Sequence, residues 1–411
     1  MYQVNSEVGV LRQVILHEPG LEFERLTPDN KDALLFDDVV WVERAQQEHQ
    51  AFQQIFRNRG VTVHLLQDLL TETLKSDEAV SFMLGRVLDG RQAHMGAVLA
   101  AETRRALTAL GPGDLAAHLI GGLNKRELRE ILGERPSGAR SLGLDVLADD
   151  EFVLTPLPNA LFTRDTSCWI YDGVSVNPMM MTGRSRETVA YEAIYDFHPQ
   201  FADRAADRWT DGEAMAPAAI EGGDVAVLGN GTVLVGLGER TTPAGIEHLA
   251  MRLFAAGAAN RVIVAELPKS RAVMHLDTVL TMVDTDAFVL FSELDRATLR
   301  SWTLTPGSRW EPTITENKDL FAEIGTALGL SSVRVLQSGK DSYSAHREQW
   351  NDGCNLLALA PGTVIAYEIN DHSNRMLEEN GIEVLRLQGD QLGRGRGGPR
   401  CMSCPIERDA A

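Results

Sequence analysis

Cys401 is the residue of this 411-residue chain whose setting points most directly to chemistry. It follows residues 393–400, a run rich in glycine and arginine, and neighbouring arginines lower the pKa of a thiol. Because the thiolate is the nucleophile, this setting predicts a reactive cysteine beneath a mobile loop. Cys401 and Cys404 also have the CxxC spacing of redox and zinc sites, but the sequence has no second CxxC, no nearby histidine pair and no thioredoxin-like pattern. Cys168 and Cys354 lie inside β-rich runs, where a cysteine is ordinarily an inert small hydrophobe.

Three other short motifs, at residues 159–165, 221–224 and 274–277, carry polar side chains suited to a reaction. Alternate residues of a strand point the same way, so His275 and Asp277 are expected to project together. The two glycines within residues 221–224 let the backbone approach another group closely. A structural histidine and a solvated acidic turn are the ordinary alternatives for such motifs. Their recurrence at equivalent positions of a repeat favours a shared site instead.

Several carboxylates, one histidine and one cysteine together suit a planar cation that carries an electrophilic carbon. Carboxylates bind a guanidinium group through paired N–H donors, which fixes its carbon for attack. A histidine can protonate the departing nitrogen and later deprotonate water, because its pKa lies near neutral pH. The motifs therefore predict cysteine-dependent chemistry at a guanidinium carbon.

The elements that must position these motifs form a repeat: a polar residue, a β-rich run, a turn and a second β-rich run. Each copy predicts a hairpin with turn chemistry suited to tight reversal. The copies occupy residues 165–178, 224–235, 277–291 and 355–367. Helices are predicted behind three of them at 186–195, 243–256 and 373–380, and further strands at 261–264 and 382–385. The N-terminal segment looks like a diverged fifth copy, and such units would gather their leading polar residues around one axial pocket.

Residues 69–150 do not fit the repeat, because their apolar spacing is helical throughout. Asp114 and Asn124 are predicted N-caps of two of these helices. We therefore predict an α/β catalytic domain built from residues 1–68 and 151–411, with residues 69–150 as a helical insertion.

Composition limits the function classes further. The 39 Lys and Arg residues against 58 Asp and Glu give a formal charge of -19, which disfavours a broad nucleic-acid surface. The sequence shows no secretion signal, no apolar run long enough to cross a membrane, and too few cysteines for a disulfide framework. A cytoplasmic enzyme with no nucleic-acid or membrane partner is the expectation.

Six strings together closely resemble bacterial arginine deiminases, and the resemblance spans nearly the whole chain. They are Leu26-Thr-Pro28, Leu34-Leu-Phe-Asp-Asp38, Phe162-Thr-Arg-Asp165, Glu221-Gly-Gly-Asp224, Met274-His-Leu-Asp277 and Arg400-Cys-Met-Ser-Cys-Pro405. The resemblance implies a five-bladed α/β propeller, the pentein fold of guanidine-modifying enzymes. It also implies hydrolysis of L-arginine to citrulline and ammonia through an S-alkylthiouronium intermediate, with no metal or organic cofactor, and a homo-oligomeric assembly.

Carried over position by position, the resemblance gives each motif residue a role. Cys401 is the implied nucleophile, His275 the general acid/base, Glu221 the carboxylate that orients it, and Asp165 and Asp277 the guanidinium clamps. The implied substrate-binding residues are Arg184 and Arg240 for the α-carboxylate, Asn159 and Phe162 on the pocket wall, Arg396 as the gating loop arginine, and Asp224 as a support behind the site.

Other functions use similar groups. An agmatine deiminase, a dimethylarginine hydrolase or an amidinotransferase of the same superfamily would employ the same cysteine, histidine and carboxylates. Agmatine has no carboxylate, so Arg184 and Arg240 would then have no obvious partner. A non-catalytic propeller that binds arginine is the alternative from another class, and it predicts no ammonia release and no special reactivity of Cys401.

Overall fold

Antiparallel hairpins recur along the computed structural model, which describes residues 2–89, 95–133, 141–202, 207–308 and 311–411. The four predicted hairpins are confirmed. They pair Ser167–Ile170 with Gly173–Val176, Val225–Gly229 with Thr232–Leu237, Leu280–Asp284 with Ala287–Phe291, and Leu357–Ala360 with Thr363–Tyr367. Turn chemistry explains the reversals: Asn230, Gly231 and Gly362 have φ of 50°, 70° and 71°, in the left-handed region that glycine and asparagine tolerate best.

Three of these hairpins continue in the same way, through a helix and back to a parallel strand. The helices are Pro243–Ala256, Leu320–Leu328 and Asp371–Glu379. The parallel strands are Arg261–Glu266, Arg334–Ser338 and Glu383–Leu387, each beside the second strand of its hairpin. The helices predicted at 243–256 and 373–380 and the strands at 261–264 and 382–385 are therefore confirmed. The first hairpin is followed by the helix Ser185–Phe197, predicted at 186–195, and by a single parallel bridge between Val174 and Arg208.

The fifth sheet joins the two ends of the described chain. Its order is Gln3–Val4, Cys404–Arg408, Leu11–Leu16 and Thr62–Leu65. Cys404–Arg408 is antiparallel to Leu11–Leu16, which is parallel to Thr62–Leu65 after the helix Val42–Asn58. The pairing pattern of the other sheets is thus repeated, with its first strand supplied from the far end of the sequence. The segment that carries Cys401 thereby precedes a strand as the other polar motifs do.

Among the described residues, six helices occupy the predicted insertion and the residues just before it. They are Leu66–Thr73, Asp77–Val87, Ala97–Thr108, Pro112–Gly121, Lys125–Leu132 and Leu142–Val146. Residues 90–94 and 134–140 of the insertion lie outside the described residues. Leu84, Leu107 and Leu119 share one buried cluster with Val225 and Val262, so the helices and the sheets have a common apolar core.

Of the two predicted N-caps, Asn124 is confirmed and Asp114 is wrong. Asn124 caps its helix in a reciprocal arrangement with Glu127, as expected. Asp114 lies in the first turn of its helix instead, because Pro112 occupies the first helical position and Gly111 the cap. A short pairing of Leu123–Asn124 with Phe152–Leu154 is also present where only helices were predicted.

The remaining elements are short or peripheral. An unpredicted hairpin, Ser301–Pro306 with Pro312–Glu316, extends the sheet that contains Arg261–Glu266. The other helices are Leu21–Glu24, Thr163–Thr166, Pro199–Ala202 and Ser342–Trp350. The 3-10 turns are Pro158–Leu161, Thr182–Arg184, Gly212–Met215, Gly222–Asp224, Leu276–Thr278 and Leu392–Gly395. No helix among the described residues has the length and apolar character needed to cross a membrane.

Candidate active site

The turns that precede the hairpins bring the polar motifs together around one narrow cavity of about 20 Å³. That volume is far below the roughly 300–1,000 Å³ of typical small-molecule sites, so the loops around the cavity must move apart for a substrate to enter. Eight of the eleven site residues expected from the sequence are on its lining: Asn159, Phe162, Asp165, Arg184, Arg240, His275, Arg396 and Cys401. The lining also includes Leu35, Arg271, Met274 and Gly395, which the sequence analysis did not assign to the site.

Cys401 is held between an amide and a carboxylate. Its side chain is buried, the Nδ2 of Asn355 donates to its Sγ at 3.0 Å, and its own backbone N–H donates to the Oδ1 of Asn355 at 2.9 Å. The Oδ2 and Oδ1 of Asp277 lie 3.6 and 3.8 Å from Sγ. Asn355 is the leading residue of the fourth hairpin, so its place in the repeat was the signal that could have identified it.

The charge around Cys401 opposes ionisation of the free thiol. Burial raises the pKa of Cys401 well above its ordinary value, Asp277, Asp165 and Asp352 add to this, and Arg400 opposes it. The expectation that the arginines of the preceding loop make this thiol acidic is therefore wrong: Arg400 lowers the pKa, but burial and the three carboxylates outweigh it. A bound cation among these carboxylates would offset their charge, so the thiolate is favoured only when such a cation is present.

His275 lies between two carboxylates. Its Nε2 is 2.7 Å from the Oε2 of Glu221, and its Nδ1 is 3.7 Å from the Oδ1 of Asp165. Burial opposes protonation of the ring, but Asp165 and Glu221 outweigh it and raise the pKa of His275 to about 9. Burial raises the pKa of Glu221, but the contact with His275 outweighs burial and lowers this pKa to about 2. At neutral pH the pair is an imidazolium and a carboxylate, which makes His275 a ready proton donor.

We expect Glu221→Gln to lower the pKa of His275 by at least about one unit, because the amide keeps a hydrogen-bond acceptor but removes the negative charge. Loss of the protonated ring should then limit kcat/KM at a lower pH than in the wild type, whose alkaline limb is expected near the His275 pKa of about 9. The measurement is an NMR titration of His275 together with the pH profile. Glu22→Gln is a matched control, since Glu22 is a buried partner of His17 at 3.0 Å. An unchanged His275 titration in Glu221→Gln would mean that a group other than Glu221 raises the pKa of His275.

The two glycines of residues 221–224 permit close packing, as predicted. A Cβ on Gly222 would lie 2.0 Å from the carbonyl oxygen of Arg164, and one on Gly223 would lie 2.8 Å from the His275 ring. Contacts this short do not occur between real side chains, so a larger residue would displace the turn. The glycines therefore let Glu221 and His275 meet.

His275 and Asp277 are brought into the site by a turn and not by strand alternation. Leu276–Thr278 is a 3-10 turn, and the strand begins only at Leu280. Asp277 contacts Cys401 but is not on the cavity lining, and Glu221 likewise lies behind His275. Both act on residues that face the cavity.

Asp224 also lies behind the cavity wall. Its Oδ1 accepts from the backbone N–H of Leu276 at 2.8 Å, and its Oδ2 accepts from the Oγ1 of Thr241 at 2.6 Å. It therefore fixes the turn between His275 and Asp277 and does not contact the cavity. Burial raises the pKa of Asp224 to about 7.

Arg184 has partners that the sequence did not indicate. Its Nη1 donates to the Oδ2 of Asp165 at 2.7 Å, its Nη2 donates to the Oε2 of Glu187 at 2.9 Å, and its Nη2 also reaches the carbonyl of Asn159 at 3.3 Å. Asp165 is thus fixed through one oxygen. Its other oxygen, Oδ1, is buried and has no hydrogen-bond partner among the described residues. That free acceptor faces the same region as His275 and suits an N–H donor of a ligand.

Arg240 is less engaged than Arg184. Its Nη1 lies 3.7 Å from Glu221 and its Nε 3.7 Å from Glu239, and within the described chain the buried Nε has no hydrogen bond. Asn159 donates from Nδ2 to the carbonyl of Leu34 at 2.7 Å and so ties the first motif to the cavity wall. Arg240 therefore keeps a donor free for an anionic group.

The loop before Cys401 closes over the cavity by stacking. A Cβ on Gly395 or Gly397 would collide with the Phe162 ring, so these glycines allow the loop to lie flat on it. Arg396 has φ of 64° and its guanidinium carbon lies 3.6 Å from the centre of the half-exposed Trp350 ring. None of its side-chain nitrogens has a hydrogen-bond partner in the part of the chain that is described. Arg396 is thus held at the cavity by a cation–π contact and by the charges of Asp352 and Asp37, without a hydrogen bond, which suits a group that moves.

Two ion pairs tie the loops around the cavity mouth. Arg271 pairs with Asp37 at 2.6 Å, and Arg394 pairs with Asp38 at 2.7 Å. The acidic pair therefore joins the segment at residues 34–38 to both of the other loops. No local sequence signal identifies Arg271, because its partner Asp37 is more than two hundred residues away.

Within the described residues, one group of side chains has ligand atoms close enough for a metal ion: Asp165, Glu221 and His275. The raised pKa of His275 keeps a proton on its ring at neutral pH, and an imidazolium has no lone pair on either nitrogen to offer. The group is better suited to a cation that brings its own N–H donors than to a metal ion.

The chain is similar to known proteins over most of its length. A family model for arginine deiminase matches residues 32–408. The chain is similar to an amidinotransferase of saxitoxin biosynthesis from Microseira wollei, with 14% identity, 100% of this chain and 98% of that one covered, and a TM-score of 0.53. It is similar to the inosamine-phosphate amidinotransferase from Streptomyces griseus, with 13% identity, 100% and 98% covered, and a TM-score of 0.51. It is also similar to a dimethylarginine dimethylaminohydrolase solved as an adduct with S-methyl-L-thiocitrulline, with 12% identity, 96% and 99% covered, and a TM-score of 0.51. At these identities the structural likeness shows a common α/β fold.

Proposed function

The chain belongs to the arginine deiminase family, and we propose that it hydrolyses L-arginine to L-citrulline and ammonia with Cys401 as the nucleophile. The observation that carries this proposal is the meeting of Cys401, the imidazolium of His275 and the free oxygen of Asp165 at one cavity. A nucleophile, a proton donor and an acceptor for N–H groups are the three parts that attack on a guanidinium carbon requires.

The proposal includes the architecture. The five sheets that begin with an antiparallel strand pair act as blades of a pentein propeller, and residues 69–150 form an insertion packed on it. A homo-oligomer, which the family resemblance implies, and a cytoplasmic location, which is the expectation from the sequence, belong to the same proposal.

The substrate is proposed to lie with its guanidinium against Asp165 and its α-carboxylate towards Arg240. Asp165 offers Oδ1, while Arg184 holds its other oxygen and so fixes the direction of the free lone pairs. Arg240 offers Nε at the cavity lining. Asp277 completes the negative surroundings from the far side of Cys401, since its oxygens lie 3.6 and 3.8 Å from the sulfur.

In the first half of the reaction the thiolate of Cys401 adds to the guanidinium carbon. The cation itself lowers the pKa of the Cys401 thiol by offsetting the carboxylates that raise it, so the thiol gives its proton to solvent as the substrate binds. The C–S bond forms, the C–N bond to one terminal nitrogen breaks, and His275 gives its proton to that nitrogen as ammonia leaves. An S-alkylthiouronium group on Cys401 remains.

In the second half, His275 is neutral and can accept a proton. Water attacks the same carbon as His275 takes one of its protons, the C–S bond breaks, and the sulfur leaves with its electron pair. The remaining proton of the new hydroxyl passes to the departing sulfur, which regenerates the Cys401 thiol. The product carbon now bears oxygen and is the ureido group of citrulline. The substrate supplies the electrophile and the fixed charges of the site stabilise the intermediate, so the proposed reaction needs no cofactor.

The test of the proposed function is product analysis with purified protein and no added metal. L-arginine, agmatine and a dimethylarginine are supplied in parallel, each with and without a primary amine acceptor such as glycine. Citrulline and ammonia from L-arginine alone support the proposal. Release from agmatine or dimethylarginine instead overturns the substrate assignment, and transfer to the amine without ammonia release assigns an amidinotransferase. A folded protein inactive under all conditions overturns the deiminase.

Arg240→Met is expected to raise KM for L-arginine by about 10- to 100-fold, because one charge-assisted hydrogen bond to the α-carboxylate is lost. Any residual turnover of agmatine should be unaffected, since agmatine has no carboxylate. Steady-state kinetics on both substrates measure this. Arg252→Met is a control on an exposed ion pair with Asp211. Equal losses on both substrates would mean that Arg240 acts through its contact with Glu221 instead.

A further inference from the structure

A second buried network lies on the far side of Cys401 from the cavity, and it centres on Arg400. All three side-chain nitrogens of Arg400 are engaged. Nε donates to the Oε2 of Glu7 at 3.2 Å, Nη1 donates to the Oδ2 of Asp277 at 2.8 Å, and Nη2 donates to the carbonyl of Val225 at 2.7 Å. Arg400 is 3% exposed, so these bonds are shielded from solvent.

Glu7 anchors this network to the N-terminal segment. Its Oε1 accepts from the backbone N–H of Val227 at 3.2 Å, while its Oε2 accepts from Arg400. Although burial raises it, the charges of Arg400, Arg164 and Arg408 bring the pKa of Glu7 down to about 2. Burial lowers the pKa of Arg400, but Glu7 and Asp277 outweigh burial and raise it. Both groups are therefore charged at any pH at which the protein would work.

Neither Glu7 nor Arg400 lines the substrate cavity, yet both lie next to the reacting groups. Together with Asp277 they line a separate small cavity of about 10 Å³ whose other walls are mainly apolar. The Oδ2 of Asp277 that accepts from Arg400 is the same oxygen that lies 3.6 Å from the sulfur of Cys401. The order Glu7, Arg400, Asp277, Cys401 is thus a continuous row of alternating charge that ends at the thiol.

We infer that Glu7 and Arg400 are positioning residues for the reaction of Cys401: Arg400 fixes Asp277 and screens its repulsion of the thiolate, and Glu7 limits how far Arg400 neutralises Asp277. This inference rests on the proposed function only in taking Cys401 as the nucleophile. The groups that act on the thiol are Asp277, Asp165 and Asp352, which disfavour the thiolate, and Arg400, which favours it, with the amide of Asn355 donating to the sulfur.

Loss of Glu7 and loss of Arg400 should shift the pKa of the Cys401 thiol in opposite directions. Removing the charge of Glu7 leaves Arg400 with one anionic partner, so the thiolate is favoured while Asp277 attracts a substrate cation less. Removing Arg400 leaves Asp277 unscreened beside the sulfur, so the thiolate is disfavoured. A pair with a merely structural role would give neither pattern, because loss of either partner would only loosen the same packing.

The experiment measures the rate at which iodoacetamide alkylates Cys401 as a function of pH, read by mass spectrometry of the Cys401 peptide. Glu7→Gln keeps the shape and a hydrogen-bond acceptor, and we expect its alkylation midpoint to fall by about half a unit or more, giving about three-fold faster alkylation below the midpoint. KM for L-arginine should rise more than kcat falls. Arg400→Met should raise the midpoint, and Arg400→Lys should restore part of the difference because it keeps the charge.

Fragment-ion masses separate alkylation of Cys401 from alkylation of Cys168, Cys354 and Cys404, which is needed because burial raises the pKa of all four thiols. Glu22→Gln serves as the matched change at a buried glutamate whose partner is His17. Midpoints that move in opposite directions support the inference, and midpoints that do not move or that move together overturn it. If Arg400→Met fails to fold, the Glu7→Gln variant alone tests the inference: a lower alkylation midpoint supports it, and an unchanged or higher midpoint overturns it. The alkylation can be read even if the wild type makes no citrulline, so failure of the proposed function and failure of the pair are separate results.

Discussion

The Cys401→Ser protein is expected to lose at least about 10⁴-fold in kcat on L-arginine while still binding it. A serine hydroxyl is a far weaker nucleophile than a thiolate, and catalytic nucleophiles cost rate losses of this order or larger when removed. The site makes the contrast sharper, because burial, Asp277, Asp165 and Asp352 all disfavour an anion at this position even for the more acidic thiol. The groups proposed to bind the substrate, Asp165 and Arg240, are untouched by the change. Citrulline formation and calorimetric arginine binding measure the two halves of this expectation.

Cys404→Ser is the matched control for that result. Its sulfur lies three residues further on and donates to the carbonyl of Ser167 at 3.1 Å, a bond that a serine hydroxyl can also make. It should keep near wild-type turnover. Comparable losses in the two variants would assign Cys401 a packing role, and an unfolded Cys401→Ser protein would do the same.

His275→Gln is expected to lower kcat by about 10²- to 10⁴-fold, the usual contribution of a positioned general acid or base. Glutamine can still donate towards Glu221, whose Oε2 lies 2.7 Å from the histidine Nε2, but it cannot transfer a proton. Both halves of the proposed reaction need that transfer, since ammonia must be protonated and water deprotonated. Ammonia and citrulline should therefore both appear slowly, with no fast early release of ammonia.

His248→Gln gives the matched comparison, because His248 also lies near a carboxylate, with its Nε2 3.7 Å from Asp211, but is not on the cavity lining. It should be nearly silent. Rapid single-turnover ammonia release by His275→Gln, followed by slow citrulline, would show that His275 acts only on water and that another group protonates the leaving nitrogen.

The parts of the fold that the sequence predicts are those that local chemistry determines. Each hairpin depends on a turn such as Asn230-Gly231 and on β-rich flanks only a few residues away, so its signal is complete within a short window. The strand Cys404–Arg408 pairs with Leu11–Leu16 almost four hundred residues earlier, and no local pattern specifies that partner. Without that pairing the leading position of Cys401 in a fifth sheet could not be inferred.

In the site, too, local sequence predicts some features and distant contacts determine the others. The motif residues could be named because their types and repeat positions are visible, and glycines 222 and 223 could be assigned to a close approach. The partners of Arg184 and Arg400 and the direction of the Cys401 pKa could not, because they depend on which carboxylates burial brings within a few ångströms. Sequence proximity of arginines to Cys401 suggested an acidic thiol, whereas in three dimensions Arg400 is already paired and Arg396 stacks on Trp350.

The mass of the Cys401 peptide during turnover tests the central claim most directly. Enzyme mixed with excess L-arginine is quenched in acid over a series of short times, digested and analysed, with citrulline measured in the same samples. The account predicts that this peptide transiently carries the mass of arginine less that of ammonia, and that the Cys401→Ser protein never carries it. An unmodified Cys401 peptide at every time at which citrulline is forming, or the adduct on another residue, would contradict it.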